Sequence, residues 1–292
     1  MAIIGAIVGA TGSGKTEFAV DLAAKMNAEI INMDSRQIYR DFCIGTSQPT
    51  FEEREKAVHH LVNFLPPEKS YNAAMFVSDV KNLLSQKTET NFILAGGTGL
   101  YMQALCEGLD ILPPADPELR DRLRKHYAKL PVQTLYTDAL KTKPSIEGKI
   151  MPNDKQRLLR VLELAEQGAD KSEKIGERIG GIGAVPTMFL DIPREKLYGR
   201  INSRVKNMLE NGWVEEVQKL AKSIPTHADN GTVIPAWQSL GYLELKAALD
   251  LKKDPFSIAE EVALKTRHYA KRQITWFKHH IDNNCPTPKI NF

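Results

Sequence analysis

The sequence predicts an α/β fold in which a parallel sheet carries helices on both faces and a smaller, all-helical unit is inserted. Three observations carry this. Short apolar runs alternate with segments whose apolar residues recur at helical spacing, polar or glycine-rich residues stand at the carboxyl ends of those runs, and a middle stretch of charged helical pattern interrupts the alternation.

The first run, Ile3 to Val8, leads into the loop GATGSGKT, after which Phe18, Ala19, Leu22, Ala23 and Met26 recur as on one face of a helix. That is strand, loop, helix. A second strand, Glu29 to Asn32, ends at Met33-Asp34-Ser35; a third, Asn91 to Ala95, ends at Gly96-Gly97-Thr98-Gly99. Between them Ala73, Val77, Val80 and Leu84 share a helical face. After Pro113-Pro114 come the helical segments Pro117 to Tyr127 and Asp154 to Glu166, and Gly176, Gly180, Gly181 and Gly183 mark a flexible stretch before the strand Pro186 to Ile192. Helices follow from about Glu195 to Ala221 and from Ser257 to His280, the latter opening on Ser257-x-x-Glu260, the pattern of a capping box. The core is therefore expected at 1–112 and 184–292, and the helical insertion at 113–183.

At 292 residues, 42% apolar and 26% charged, the chain suffices for one large core and a second, smaller unit. The run Ile3 to Val8 is too short for a signal sequence or a membrane span, which points to a cytoplasmic protein. Cys43, Cys106 and Cys285 are scattered, without a C-x-x-C pair, which argues against a disulfide framework and a structural zinc site. A net charge of +3 names no partner by itself. Its distribution says more: from Val262 to Ile281 there is no Asp or Glu, while Lys265, Arg267, Lys271, Arg272 and Lys278 alternate with Tyr269, Trp276 and Phe277. Such a segment suits either an RNA surface or a helix with solvated cations and a packed aromatic face.

Gly9-x-x-x-x-Gly14-Lys15-Thr16 is the P-loop pattern, in the strand-to-helix context the pattern requires, so the sheet is expected to be P-loop NTPase-like. The residues from Gly9 through Ala10, Thr11, Gly12, Ser13 and Gly14 let backbone N–H groups converge on a phosphate. The helix N-terminus adds partial positive charge, Lys15 a full one, and the Thr16 hydroxyl a ligand for Mg²⁺ beside the phosphate oxygens. Kinases, NTPases and transferases all use such a loop. The carboxylate that often ends the third strand in NTPases is missing here, and the acidic residue instead ends the second, as Asp34. Asp34 is thus the candidate base. Arg200 and Arg204, four apart, share a helical face and can reach one anion.

Together, GATGSGKT, Asp34 to Tyr39, Ile44-Gly45-Thr46, His59-His60-Leu61, Gly96 to Tyr101, Asn153-Asp154 with Arg157 and Arg160, Arg200-Ile201 with Arg204, Gly241-Tyr242, and Tyr269 to Lys278 resemble, in order and spacing, the bacterial tRNA dimethylallyltransferase family over nearly the whole chain. The resemblance implies transfer of a dimethylallyl group from dimethylallyl diphosphate to the exocyclic amine of the adenosine 3′ to the anticodon, with Mg²⁺; a monomer is the default expectation. Asp34 would be the general base, and Lys15, Thr16, Arg204 and the loop the diphosphate site. It further implies tRNA contacts, with the anticodon stem-loop, at Asp34, Ser35, Arg36, Gln37, Thr98, Arg120, Gln156, Arg157, Arg160, Gly241, Tyr242, Lys271, Arg272 and Lys278.

The chain departs from the family pattern at Ala10, often Pro, and at Gln48, often Lys, so Gln48 is not assigned to the site. His59 and His60, adjacent, cannot share a face of a strand or helix and are given no chemistry. The competing readings are an adenylate isopentenyltransferase acting on free adenine nucleotides, a P-loop nucleotide kinase, and an RNA-binding protein that has lost catalysis. Intact Lys15, Thr16 and Asp34 weigh against the last.

Overall fold

The computed structural model describes residues 3–110, 112–113, 116–169, 178–284 and 289–291; Pro114, Gly176 and Cys285 lie outside them. The chain divides into two compact units, Met1–Glu107 with Ile182–Phe292, and Gly108–Gly181.

The first unit is built on a parallel sheet. Its strands are β1 (Ile3–Gly9), β2 (Ala28–Asn32), β3 (His59–His60), β4 (Asn91–Gly96), β7 (Thr187–Asp191) and β8 (Lys289–Asn291), in the spatial order β3-β2-β4-β1-β7-β8. β1 lies at the centre, pairing Val8 with Gly96 of β4 on one side and with Phe189 of β7 on the other. Strands covered on both faces can be apolar throughout, and Ile7, Val8, Ile30, Ile31, Phe92, Ile93 and Leu94 are all buried. Helix α1 (Lys15–Met26) packs Ala19, Val20 and Ala23 against Ile7, Ile30 and Ile93. A second core gathers Phe42, Trp213, Trp237 and Tyr242 with Ile201 and Val205. The switch in strand order brings the carboxyl ends of β1, β2 and β4 side by side, where ligands of open α/β sheets bind.

Around the sheet lie α2 (Phe51–Lys56), α3 (Ala73–Gln86), α4 (Gly99–Glu107), α8 (Arg194–Glu210), α9 (Trp213–Ser223), α10 (Tyr242–Asp250) and α11 (Ala259–Asn284). The single helix expected from Glu195 to Ala221 is two, broken where Gly212 takes φ 98°. The expected capping box does not form either. A 3₁₀ turn, Pro255–Ile258, precedes α11, Asp254 caps it by accepting the Phe256 N–H at 3.0 Å, and Glu260 pairs with Arg267.

The second unit contains α5 (Pro117–Ala128), α6 (Val132–Thr142) and α7 (Lys155–Glu166), packed around Leu123, Leu135, Ala139, Leu158 and Leu162. It is not wholly helical. A short antiparallel pair, β5 (Gly108–Asp110) with β6 (Arg178–Gly180), joins its two ends, and Gly108, at φ 92°, admits no Cβ, which would stand 2.3 Å from the Ile179 carbonyl oxygen. Three-residue strands carry too little alternation to be read from sequence.

Candidate active site

The loop after β1 turns through Gly12 and Gly14, at φ 81° and 90°, so that α1 begins without a side-chain cap and its first N–H groups stay available to an anion. Lys15 Nζ donates to the Ala10 carbonyl at 2.7 Å. Burial pushes the Lys15 ammonium down to about 8, opposed by attraction to Asp34. From α8, Arg204 Nη1 donates to the Thr11 hydroxyl and Arg200 Nη1 to the Ser13 carbonyl, each at 3.2 Å. The four-residue spacing thus delivers both guanidinium groups to the loop. Burial lowers the pKa of Arg204, again opposed by Asp34.

Asp34 stands just past β2, where its Oδ1 accepts the N–H of Arg36 at 2.8 Å and of Gln37 at 3.4 Å. This turn holds the carboxylate at the sheet's edge. Ser35 N–H donates to the Thr98 hydroxyl at 3.1 Å, tying the turn after β2 to the turn after β4. Gly96 permits that approach, since a Cβ would lie 2.2 Å from the Met33 carbonyl oxygen. Tyr269 of α11 lines the neighbouring cavity, and burial holds its phenol well above the usual range.

Two cavities meet here. One, of about 360 Å³, runs along the P-loop past Lys15, Thr16, Asn32, Glu53 and His59. The other, of about 320 Å³, is lined by Ser35, Trp213, Gln238, Leu240, Tyr269 and Arg272. Thr11, Asp34, Thr46, Ser47 and Arg204 line both. Among the described residues no group of three His, Cys, Asp or Glu side chains could hold a metal. A hydroxyl at Thr16 beside an anion cradle nevertheless suits Mg²⁺, which keeps its waters and binds chiefly through substrate phosphate oxygens.

A sequence comparison matches the IPP transferase family model to residues 37–280. A protein of Fusobacterium nucleatum subsp. nucleatum named tRNA dimethylallyltransferase is 39% identical, over 93% of this chain and 87% of its own. One of Chloroherpeton thalassium with the same name is 38% identical over 98% and 88%. The chain belongs to the IPP transferase family. Among solved structures it resembles the tRNA isopentenylpyrophosphate transferase of Bacillus halodurans, with a TM-score of 0.66, 30% identity, and 99% and 91% of the two chains covered. It also resembles a eukaryotic dimethylallyltransferase acting on tRNA, with a TM-score of 0.75, 25% identity, and 99% and 74% covered.

The residues that the family resemblance singles out for tRNA divide into three groups in this IPP transferase fold. Asp34, Ser35, Arg36, Thr98 and Arg272 surround the second cavity or its rim. Gln156, Arg157, Lys271 and Lys278 are exposed, Arg157 beside Asp154 and Lys278 beside Asp191. The others are engaged within the protein. Tyr242 is completely buried and its hydroxyl donates to Glu216 at 2.6 Å, so its side chain is a core strut and not an RNA contact. Gly241, at φ 88°, lies where a Cβ would stand 2.3 Å from the Trp213 ring. Arg120 and Arg160 both bind Glu163, whose side chain is 1% exposed, so their first task is to neutralise a buried carboxylate. The Gln37 amide donates to the Ser47 carbonyl at 2.6 Å and spans the loop that shapes both cavities.

Not every P-loop N–H is free for an anion: the Thr11 N–H donates to Gln273 Oε1 at 2.8 Å, which leaves the Thr11 hydroxyl to face Arg204 and the cavities. Gln48 is buried, holding the Tyr39 carbonyl at 2.8 Å and accepting from Arg54 at 3.2 Å. The two histidines do face opposite ways. His59 accompanies the first cavity, with Nδ1 on the Ala57 carbonyl, while His60 meets Glu29.

Proposed function

We propose that this protein transfers a dimethylallyl group from dimethylallyl diphosphate to the exocyclic amine of the adenosine 3′ to the anticodon in tRNA, releasing diphosphate, as a cytoplasmic monomer. The observation that carries the reading is Asp34, a carboxylate on the boundary of two cavities, one of which is built for a diphosphate and the other lined by aromatic and polar side chains.

The diphosphate sits on the α1 N-terminus, with Lys15 and Arg204 on its oxygens. Charge accumulates on it as the bond from the allylic carbon to oxygen breaks, so donors already in place stabilise the transition state more than the bound substrate. Mg²⁺, held by the Thr16 hydroxyl and diphosphate oxygens, would neutralise part of that charge. The flipped adenine occupies the second cavity, its N6 bonds the allylic carbon, and Asp34 accepts the proton that N6 loses. The exposed Gln156 and Arg157 of the second unit, with Lys271 and Lys278 of α11, meet the RNA backbone and position it.

The test supplies Mg²⁺ and labelled dimethylallyl diphosphate with unmodified tRNA, AMP or ATP as separate acceptors. Label is expected in tRNA. Asp34→Asn, whose side-chain oxygen still accepts the turn N–H groups, should lower kcat by about 10²- to 10⁴-fold. Label in AMP or ATP alone would replace this reading with an adenylate isopentenyltransferase.

A further inference from the structure

Helix α11 turns Tyr269, Arg272, Gln273 and Trp276 toward the site at helical spacing. Tyr269 and Arg272 line the second cavity, and the Trp276 ring fills the space where a Cβ on Gly99 would stand 2.2 Å away. The fourth spans two loops. Gln273, 6% exposed, accepts the Thr11 N–H on Oε1 at 2.8 Å and donates from Nε2 to the Gly97 carbonyl at 2.8 Å. Because one partner is a main-chain donor and the other a main-chain acceptor, only this orientation of the amide satisfies both.

We propose that Gln273 is a positioning residue that sets the distance between the diphosphate and the attacking amine; the inference rests on the transfer reading above. The ladder between β1 and β4 ends at Val8 and Gly96. Beyond it the loop from Ala10 and the turn from Gly97 leave the sheet separately, and the Gln273 amide joins them. On one side of the amide, Thr11 carries the hydroxyl that meets Arg204. On the other, Gly97 precedes Thr98, which holds the N–H of Ser35, the neighbour of Asp34. One side chain thus fixes the leaving-group site relative to the base. Gly97 gives it room: a Cβ there would lie 2.2 Å from Nε2. Displacing reacting groups by about 1 Å costs on the order of 10²-fold in rate while leaving each substrate's own contacts intact.

Two variants test this against the wild type in the labelled transfer assay, each with a thermal unfolding scan. Gln273→Met, similar in length and lacking both bonds, is expected to lower kcat by about 10- to 100-fold with the KM for each substrate within about threefold. In Gln273→Glu an ionised carboxylate can accept the Thr11 N–H but faces the Gly97 carbonyl with no proton to give, whereas the protonated carboxyl group restores both bonds. Burial raises the pKa of the introduced group, so the kcat of Gln273→Glu relative to wild type should climb severalfold as pH falls from about 8 to about 6. This recovery is read within one folded variant and stands even if Gln273→Met unfolds. A raised KM with unchanged kcat, or a ratio independent of pH, would overturn the proposal. If wild type transfers no label, the reading of the reaction falls and this inference with it; if wild type transfers and both variants match it, only this inference falls.

Discussion

Lys15 shows how one residue's surroundings set a measurable property of the site. Its ammonium, held by burial at about 8 and drawn upward by Asp34, is partly deprotonated in mildly alkaline solution. A diphosphate favours the charged form and so raises this pKa on binding. Binding therefore takes up a proton when pH exceeds about 8, and affinity falls as pH rises, approaching about tenfold per pH unit. The diphosphate titrates too, but Lys15→Arg, whose guanidinium keeps its charge, provides the reference. Calorimetry from pH 6.5 to 9.5 should show wild type losing affinity relative to Lys15→Arg above pH 8; a constant ratio would mean that Lys15 does not titrate there. Lys15, Thr16, Asp34 and Arg204 were legible in the sequence because each belongs to a local pattern: a glycine loop, a carboxylate ending a strand, a pair four residues apart. Gln273 was not, since its partners are main-chain groups more than 170 residues away, at Thr11 and Gly97, and no local spacing encodes them. Tyr242 misled for the complementary reason. The family resemblance alone put it among the tRNA contacts, and the packing of Trp213, Trp237 and Phe42 around the ring makes it core.

At the level of elements, the sequence showed those with enough residues to display a period. β1, β4, α1 and α3 are long and strongly patterned; β3, with two residues, and the β5–β6 pair, with three each, are recognisable only from their partners across the ladder. α8 and α9 merged because the apolar spacing continues through Asn211-Gly212, and only the positive φ of Gly212 ends the first and starts the second. The arginines of α5 and α7 illustrate the same limit. The family resemblance puts Arg120 and Arg160 among the RNA ligands, but Glu163 of α7, 1% exposed, takes both, and its Oε1 accepts the Asp116 N–H at 3.1 Å as well. Glu163→Ala would leave two guanidinium groups without their carboxylate and should destabilise the 108–181 unit by about 3 kcal/mol or more. Limited proteolysis should then cut within that unit first, with the P-loop unit still resisting. Equal resistance of the variant and wild type would show that the arginines find solvent at no cost.

For the whole molecule, the question is how a chain of net charge +3 selects a polyanion. Many of its cations are internally paired: Arg120 and Arg160 with Glu163, Lys87 with Glu29, Lys265 with Glu244 and Glu261, and Arg267 with Glu260. Counting basic residues along α11 therefore overstates its electrostatic footprint, which is why composition left an RNA face and a packed, solvated helix undecided. The two descriptions concern different faces of the helix: Ala270, Gln273 and Phe277 are buried, while Lys271 and Arg272 are exposed. Affinity for tRNA should accordingly depend on a few exposed cations, Lys271 of α11 and Arg157 of α7 foremost, the latter 70% exposed although it also meets Asp154 at 3.3 Å. Each phosphate contact releases counterions, so Lys271→Ala and Arg157→Ala should each reduce the slope of log affinity against log salt by about 0.7 to 0.9. Because such contacts position the RNA without reading it, neither change should alter which base beside the anticodon is modified. A filter-binding series over salt concentration, with product analysis on tRNAs differing at that base, separates the two effects. A slope left unchanged would remove the residue from the interface, and a shifted base preference at unchanged affinity would make it a reader of sequence instead.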